Sequence, residues 1–215
     1  EIRNCDWSSD VCSSDLYKWN EVKNDIEVTA VELDLELAKL YQERFPNDKV
    51  IVADAHQYLL DHYQEYDFIW SSPPCPTHSR ARFARKETTK PEYPDMMLYQ
   101  EIIFLENCFK GKYIVENVVP YYEPLIAGKK RGRHLYWCSF NIPNDLGERK
   151  IFIMEGKDEV RRYCDFHQFD FYRYKGHQRV DKIARNLVDY EVGKTILKIV
   201  LNIHHKNNIN QTELF

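Results

Sequence analysis

The sequence is poor in glycine, has no long apolar run and has no closely paired cysteines, and each absence excludes a class of protein. Only 7 of its 215 residues are glycine, about half of average usage, and the first is Gly111. The first half therefore contains no glycine-rich nucleotide-binding loop. No apolar run approaches the roughly 20 residues that cross a bilayer, so we expect no membrane span. The six cysteines form no CxxC pair and no secretory signal is visible, so we expect a reducing cytoplasm and no disulfide framework.

The first 16 residues differ from the rest of the chain. The run Ser-Ser-Asp occurs twice, at 8–10 and 13–15, and residues 1–16 show neither helical nor strand periodicity. This stretch resembles translated sequencing-adapter DNA, so we interpret it as non-native; a disordered polar tail is the alternative. It carries part of the formal net charge of −4, so the overall charge does not exclude a nucleic-acid partner.

Strands and helices alternate after this segment. The predicted strands are 26–33, 49–55, 66–75 and 111–118, and the predicted helices are 34–45, 55–66 and 95–109, with a polar loop at 76–94. Alternation of this kind predicts an α/β fold with a parallel sheet and helices on both faces. Ligands of such sheets bind beyond the carboxyl ends of the strands.

The second half has a different pattern. Strands are predicted at 132–143 and 148–154, and a terminal amphipathic helix at 180–203. Residues 163–179 are aromatic and basic without helical or strand periodicity. We therefore predict a main domain over 17–140, a small region over 141–180, a packing helix over 181–203 and a tail over 204–215.

A cysteine lies on a stiff turn where the third predicted strand ends. Pro73 and Pro74 fix the backbone of the run Ser-Ser-Pro-Pro-Cys, which ends at Cys75. A cysteine held in this way is a candidate nucleophile. A buried structural thiol is an equally reasonable interpretation of Cys75 alone.

A carboxyl group and two guanidinium groups follow in sequence. Glu116 and Asn117 end the next predicted strand, which a parallel sheet would bring beside Cys75, and Arg131 and Arg133 come from the run RGRHLYW. A thiol, a carboxyl and a guanidinium at neighbouring strand ends form a site for an electron-poor heterocycle.

The ordered runs AVELD, DAHQYL, SPPC, VENV and RGRHLYW resemble the motifs of the DNA cytosine-5 methyltransferases, particularly the compact phage-type members, over roughly residues 20–200. The resemblance implies a Rossmann-like methyltransferase sheet and DNA methylation of the kind found in restriction–modification systems. It assigns Cys75 to attack on carbon 6 of the target cytosine and Glu116 to the ring nitrogen and exocyclic amine. Arg131 and Arg133 would contact the base carbonyl, while Pro73, Pro74 and Asn117 would shape the base-binding loop.

The same resemblance implies S-adenosylmethionine as the cofactor. Glu32 or Asp34 would bind the ribose hydroxyls, Asp54 the adenine amine, and Asn186 belongs to the closing motif RNLVDYEVGKTIL. Each of the three acids has an alternative interpretation as a helix N-cap. The family's first strand and glycine loop have no counterpart in this sequence, so we expect a truncated member with impaired cofactor binding.

Cationic residues indicate where duplex DNA would bind. The run KKRGR at 129–133 lies beside the expected active site, and 141–180 would be a small target-recognition region. Its candidate contact residues are Arg161, Arg162, Arg173 and Lys175. An aromatic surface cluster without DNA contact is the alternative for this stretch.

Further partners follow from short patterns. The last five residues, QTELF, resemble the pentapeptide that docks on the bacterial sliding clamp, through Gln211, Leu214 and Phe215. The histidines lack ligand spacing, so we predict no metal site, and we expect a monomer. Two alternatives to a DNA enzyme remain: a tRNA cytosine-5 methyltransferase, and a DNA-binding remnant without catalysis.

Overall fold

The computed structural model describes residues 16–80, 90–149 and 158–203. Its strands are β1 (Thr29–Glu32), β2 (Lys49–Val52), β3 (Phe68–Ser71), β4 (Lys112–Val118), β5 (Lys129–Arg131) and β6 (His134–Cys138). Its helices are α1 (Leu35–Arg44), α2 (Ala55–His62), α3 (Met97–Cys108), α4 (Glu159–His167), α5 (Val180–Asn186) and α6 (Tyr190–Val200), with single 3₁₀ turns at Trp19–Glu21, Tyr63–Glu65 and Phe171–Arg173. Of the helices in these ranges, none has the length and apolarity that crossing a membrane requires.

The strands form two groups. β1 pairs with β2 in parallel, and β3, β4, β6 and β5 form a second group in that order. The parallel pairing predicted for the first four strands is confirmed within each group, because β3 and β4 are also parallel. β6 instead runs antiparallel to both β4 and β5. The connection from β5 to β6 is a tight turn at Gly132, where φ is +53°, and so short a connection can only join antiparallel strands.

Helices cover both faces of the strands, which confirms the predicted α/β architecture. Ala30 of β1 shares one hydrophobic core with Phe68 and Trp70 of β3, and this core includes residues of α6. Val31 and Ile69, which point the other way, share a second core with residues of α2 and α3. β1 and β3 thus contribute to the same two cores, although no backbone pairing joins them in the described part of the chain.

A third core changes the interpretation of the segment 163–179. This segment was expected to lack periodic structure, yet it contains most of α4 and a 3₁₀ turn. The periodicity is difficult to recognise because the buried stripe of α4 consists of polar or amphipathic residues four apart, Glu159, Tyr163 and His167. Tyr163 packs with Phe171 and with residues of α1 and α5, so much of the aromatic content belongs to a core.

The predicted single helix at 180–203 is wrong, because the chain breaks between α5 and α6. Asp189 ends the break as the N-cap of α6, where its side chain accepts a hydrogen bond from the amide of Glu191. Arg149 forms a bidentate ion pair with the same carboxylate, which is 3% exposed. This pair, between a buried carboxylate and a half-buried guanidinium, links the start of α6 to the segment that follows β6.

Several predicted features are shorter or lie beyond the described ranges. The strand predicted at 132–143 ends at Cys138, and most of the strand predicted at 148–154 lies outside the described residues. Residues 1–15 and the sliding-clamp residues Gln211, Leu214 and Phe215 also lie outside them. Leu16, the last residue of the segment interpreted as non-native, is 2% exposed and belongs to the first core.

Candidate functional site

A cavity of about 480 Å³ lies beyond the carboxyl ends of β1, β2 and β3. Its volume falls in the range of small-molecule sites. Apolar side chains contribute part of its wall: Val31, Leu33, Ala55, Pro73, Pro74 and Met97. The polar lining is mostly acidic and consists of Glu32, Asp34, Asp54, Asp95 and Glu101, together with His56 and Gln178. Such a cavity favours a ligand that combines a flat apolar group with hydroxyl groups and positive charge.

Asp34 caps α1 and also accepts hydrogen bonds from the C-terminal region. Its Oδ1 accepts from the amides of Glu36 and Leu37 at the start of α1. Its Oδ2 accepts from Tyr174 Oη at 3.0 Å and Gln178 Nε2 at 3.3 Å. Burial raises the pKa of Asp34, but these hydrogen bonds together hold it below its usual value. The helix-cap interpretation therefore describes Asp34 well.

Glu32 is the last residue of β1, and Asp54 lies two residues beyond its register partner Val52, the last residue of β2. Glu32 Oε1 accepts from the amide of Asp34 at 2.8 Å, which turns the carboxylate across the end of the strand. Asp54 is the N-cap of α2 and accepts from the amide of Gln57 at 3.0 Å. Both carboxylates line the cavity, as expected for groups that bind a ligand beyond the strand ends.

A chain of three hydrogen-bonded side chains, His56, Glu101 and Ser71, lies beneath the cavity. We call it the polar relay, and the sequence did not predict it. Glu101 of α3 is 2% exposed; its Oε1 lies 3.0 Å from His56 Nδ1 and its Oε2 accepts from Ser71 Oγ at 2.6 Å. The contact with Glu101 raises the pKa of His56, and burial raises the pKa of Glu101. The available signal was a carboxylate on the apolar face of α3, three residues after Leu98 and four before Leu105.

The Pro-Pro-Cys turn is held against the end of β4. Asn117 Nδ2 donates to the carbonyl oxygen of Pro73 at 2.8 Å, and both residues are buried. Beyond Cys75, the chain turns back, since the amides of His78 and Ser79 both donate to the carbonyl oxygen of Cys75. Cys75 is half-buried. The register of β3 and β4 pairs Ser71 with Val115, so the chain of β3 turns away at the level of Glu116, which continues in β4 and pairs with Tyr136 of β6.

Glu116 is buried beside a histidine that the sequence analysis gave no role. Its Oε1 lies 3.4 Å from His134 Nε2, across the antiparallel pair of β4 and β6. Burial, together with the charge of Arg133, lowers the pKa of His134 to about 3. The imidazole beside Glu116 is therefore neutral at physiological pH.

The two arginines of the β5–β6 turn contact backbone carbonyls. Arg133 donates to the carbonyl oxygens of Arg185 and Leu187 at 2.8 and 3.3 Å, which satisfies the C-terminus of α5. Arg131 donates to the carbonyl oxygens of Lys130, Ile142 and Pro143. Both guanidinium groups thus hold the turn against neighbouring segments, and their contact with a base carbonyl stays a prediction.

The remaining predicted residues lie away from the cavity. Asn186 is the last residue of α5 and is not among the described residues that line the cavity. The exposed Arg173 forms an ion pair of 2.7 Å with Glu43 of α1, and Lys175 Nζ lies 3.4 Å from the carbonyl oxygen of Tyr172. Arg161 lines a separate open groove that also contains Tyr172, and Arg162 is exposed on α4. DNA contact by these residues stays a prediction.

Solved structures share the fold of this chain. A mutant of Spodoptera frugiperda DNMT2 matches with a TM-score of 0.52 and 13% identity, covering 94% of this chain and 100% of that chain. The Entamoeba histolytica methyltransferase EhMeth matches with a TM-score of 0.51 and 9% identity, covering 94% and 98%. No family model and no curated protein sequence matches. At these identities the likeness establishes a shared Rossmann-like α/β fold.

Proposed function

We propose that this protein transfers a methyl group from S-adenosylmethionine to carbon 5 of cytosine in duplex DNA, through a covalent adduct with Cys75. The observation that carries the proposal is the hydrogen bond from Asn117 to Pro73. It holds the cysteine turn beside the strand end that bears Glu116, while the two prolines of the same turn line the acidic cavity. The turn that bears the candidate nucleophile thus contacts the strand that bears Glu116, and its prolines line the cavity, which supports the proposal.

The lining of the cavity fits S-adenosylmethionine. A sulfonium cation is attracted by a cavity with five carboxylate side chains and a single histidine. Glu32 and Asp54 would hold the ribose hydroxyls and the adenine amine, and apolar residues such as Val31 and Pro74 would contact the ring system. Asp34 would act through Glu32, because its own oxygens already cap α1 and bind the C-terminal region.

The residues of the turn and of β4 would perform the chemistry on the base. The Cys75 thiolate forms a bond to carbon 6 while Glu116 gives a proton to ring nitrogen 3, which makes carbon 5 electron-rich. When bound, S-adenosylmethionine supplies the methyl group that carbon 5 receives. Glu116 takes back the proton of ring nitrogen 3 as carbon 5 accepts the methyl group. Loss of the proton on carbon 5 to a base then expels the Cys75 thiolate from carbon 6 and restores the aromatic ring. The cytosine must leave the duplex to meet Cys75, at a cost of a few kcal/mol.

Covalent trapping tests this function. The full chain is incubated with S-adenosylmethionine and duplex DNA that contains 5-fluorocytosine, since fluorine at carbon 5 blocks the final elimination. We expect a denaturation-resistant adduct that Cys75→Ser abolishes and Glu116→Gln slows at least 100-fold, the scale of general acid catalysis. Cys108→Ser, at an exposed cysteine of α3, is the matched control and should leave the adduct unchanged.

The outcomes separate the alternatives. An adduct with 5-fluorocytosine RNA but not with DNA would reassign the substrate to RNA. DNA retention in a mobility-shift assay, unaffected by Cys75→Ser and without any adduct, would replace the enzyme with a DNA-binding protein. An adduct that survives Cys75→Ser would contradict the assigned nucleophile.

A further inference from the structure

Glu116 and His134 form a buried polar pair between β4 and β6. The register pairs Val118 with His134 and Glu116 with Tyr136, so Glu116 and His134 are diagonal neighbours on one face. Their side chains are 7% and 5% exposed, and Oε1 and Nε2 lie 3.4 Å apart. A polar pair is retained at such a depth only when its members satisfy one another or a ligand.

Burial, with a smaller contribution from the charge of Arg133, lowers the pKa of His134 and keeps its ring neutral. Glu116 faces it from β4, and Arg133 is adjacent in the chain. Arg131 is its register partner on β5 but directs its guanidinium to the carbonyls of residues 130, 142 and 143. Glu148, whose pKa is raised by burial, interacts with Arg133. A neutral imidazole can donate to a carboxylate or accept from a carboxylic acid, whereas an imidazolium would hold Glu116 ionised.

From this geometry we infer that His134 is a positioning residue for Glu116: it fixes the orientation of the carboxyl group toward the target base and, by staying uncharged, lets that carboxyl carry a proton. This inference rests on the function proposed above, in which Glu116 gives a proton to the ring nitrogen. Neutral His134 orients the group in both of its protonation states, so the contact persists before and after the proton moves.

Three substitutions separate orientation from charge. His134→Gln keeps a neutral hydrogen-bonding group and should keep single-turnover methyl transfer within about 5-fold, the scale of one neutral hydrogen bond. His134→Leu should lower the maximal rate by roughly 10- to 100-fold, the scale of a hydrogen bond to a charged group. The KM for duplex DNA and the affinity for S-adenosylhomocysteine should be unchanged. His134→Lys should move the basic limb of the pH–rate profile down by at least roughly one pH unit, because an adjacent cation lowers the pKa of a carboxyl group.

A matched control excludes a purely structural effect. His167 is also buried and has a pKa lowered to about 3, by burial and by nearby arginines, but it packs in the third core beside Tyr163. His167→Leu should change thermal stability without moving the pH–rate profile. A loss with His134→Leu that appears only in KM, or an unmoved profile with a folded His134→Lys, would overturn the inference.

A direct measurement keeps the inference testable if the lysine variant does not fold. The ¹⁵N shifts of the His134 imidazole in the intact protein should be those of a neutral ring from pH 5 to 8, and Glu116→Gln should change the Nε2 shift. A ring that titrates within that range would overturn the inference. Failure of the proposed function is seen separately, as the absence of any trapped adduct with the unsubstituted protein.

Discussion

Removing the imidazole of His56 should lower the free energy of unfolding, because the buried carboxylate of Glu101 loses its histidine partner. In His56→Ala, Glu101 keeps only the hydrogen bond from Ser71 among the contacts of the relay. Breaking a buried ion pair on one side costs about 3–5 kcal/mol. The side chain of His56 is 20% exposed, so water can enter the space that it leaves. We therefore expect a loss of stability of about 3 kcal/mol, the low end of this range.

The loss should depend on pH in a defined direction. Without His56, the folded pKa of Glu101 lies further above its unfolded value, because burial is no longer opposed by the histidine. Stability contributed by the protonated carboxyl is present at low pH and declines as pH rises toward the folded pKa. The difference in the free energy of unfolding between the unsubstituted protein and His56→Ala should therefore increase from pH 5 to pH 7.

Urea unfolding at the two pH values measures this effect. The midpoint at pH 7 should fall by roughly 1 M, from a loss of about 3 kcal/mol and a urea dependence of about 3 kcal/mol/M. Adding Glu101→Gln should recover most of the loss, since a neutral amide needs no cation. A loss that is the same at pH 5 and pH 7, or one that Glu101→Gln does not reduce, would refute the assignment of a charged buried carboxylate.

Three other contacts make predictions of similar kind. Asn117→Ala removes the hydrogen bond to Pro73, so it should slow adduct formation at least 10-fold in the trapping assay and destabilise the fold by about 1–2 kcal/mol in urea unfolding. An unchanged trapping rate would contradict the role of this bond. Tyr174→Phe removes a hydrogen bond to Asp34 and should weaken S-adenosylhomocysteine binding a few-fold in calorimetry, whereas the exposed Tyr172→Phe should not. Asp189→Asn should lower stability by about 1–2 kcal/mol in thermal unfolding, because half-buried Arg149 loses a charge-assisted hydrogen bond while asparagine still caps α6; an unchanged stability would contradict a contribution of this pair.

Much of the fold follows from local pattern, and the exceptions have physical causes. The first four strands are β-branched or aromatic and lie between charged or turn residues, so their places can be predicted from the sequence alone. The place of α4 cannot, because its inward residues are Glu159, Tyr163 and His167, and the first of these is an acid paired with Arg185 on another helix. A helix whose buried face depends on a distant ion pair carries little local signal.

The same distinction applies to the candidate site. Cys75 and Glu116 could be assigned to one edge of the sheet, because the turn that bears Cys75 follows β3 and Glu116 lies near the carboxyl end of its parallel neighbour β4. The hydrogen bond that Asp34 accepts from Tyr174 could not be predicted, since the two residues are 140 positions apart in the chain. The contact of His134 could not be predicted either, because only the register of β4 and β6 shows that this buried residue lies beside Glu116.

The division of the strands into two groups has a mechanical consequence. Glu32 and Asp54 belong to the group of β1 and β2, whereas Cys75 and Glu116 belong to that of β3 and β4. In the described residues, shared side-chain cores join the two groups and no hydrogen-bond ladder does so. Because packed side chains allow small sliding movements, we expect the two groups to shift relative to each other more readily than strands joined by a hydrogen-bond ladder. Under the proposed function, a ligand in contact with both groups would set the distance between Glu32 and Asp54 on one side and the Cys75 turn on the other.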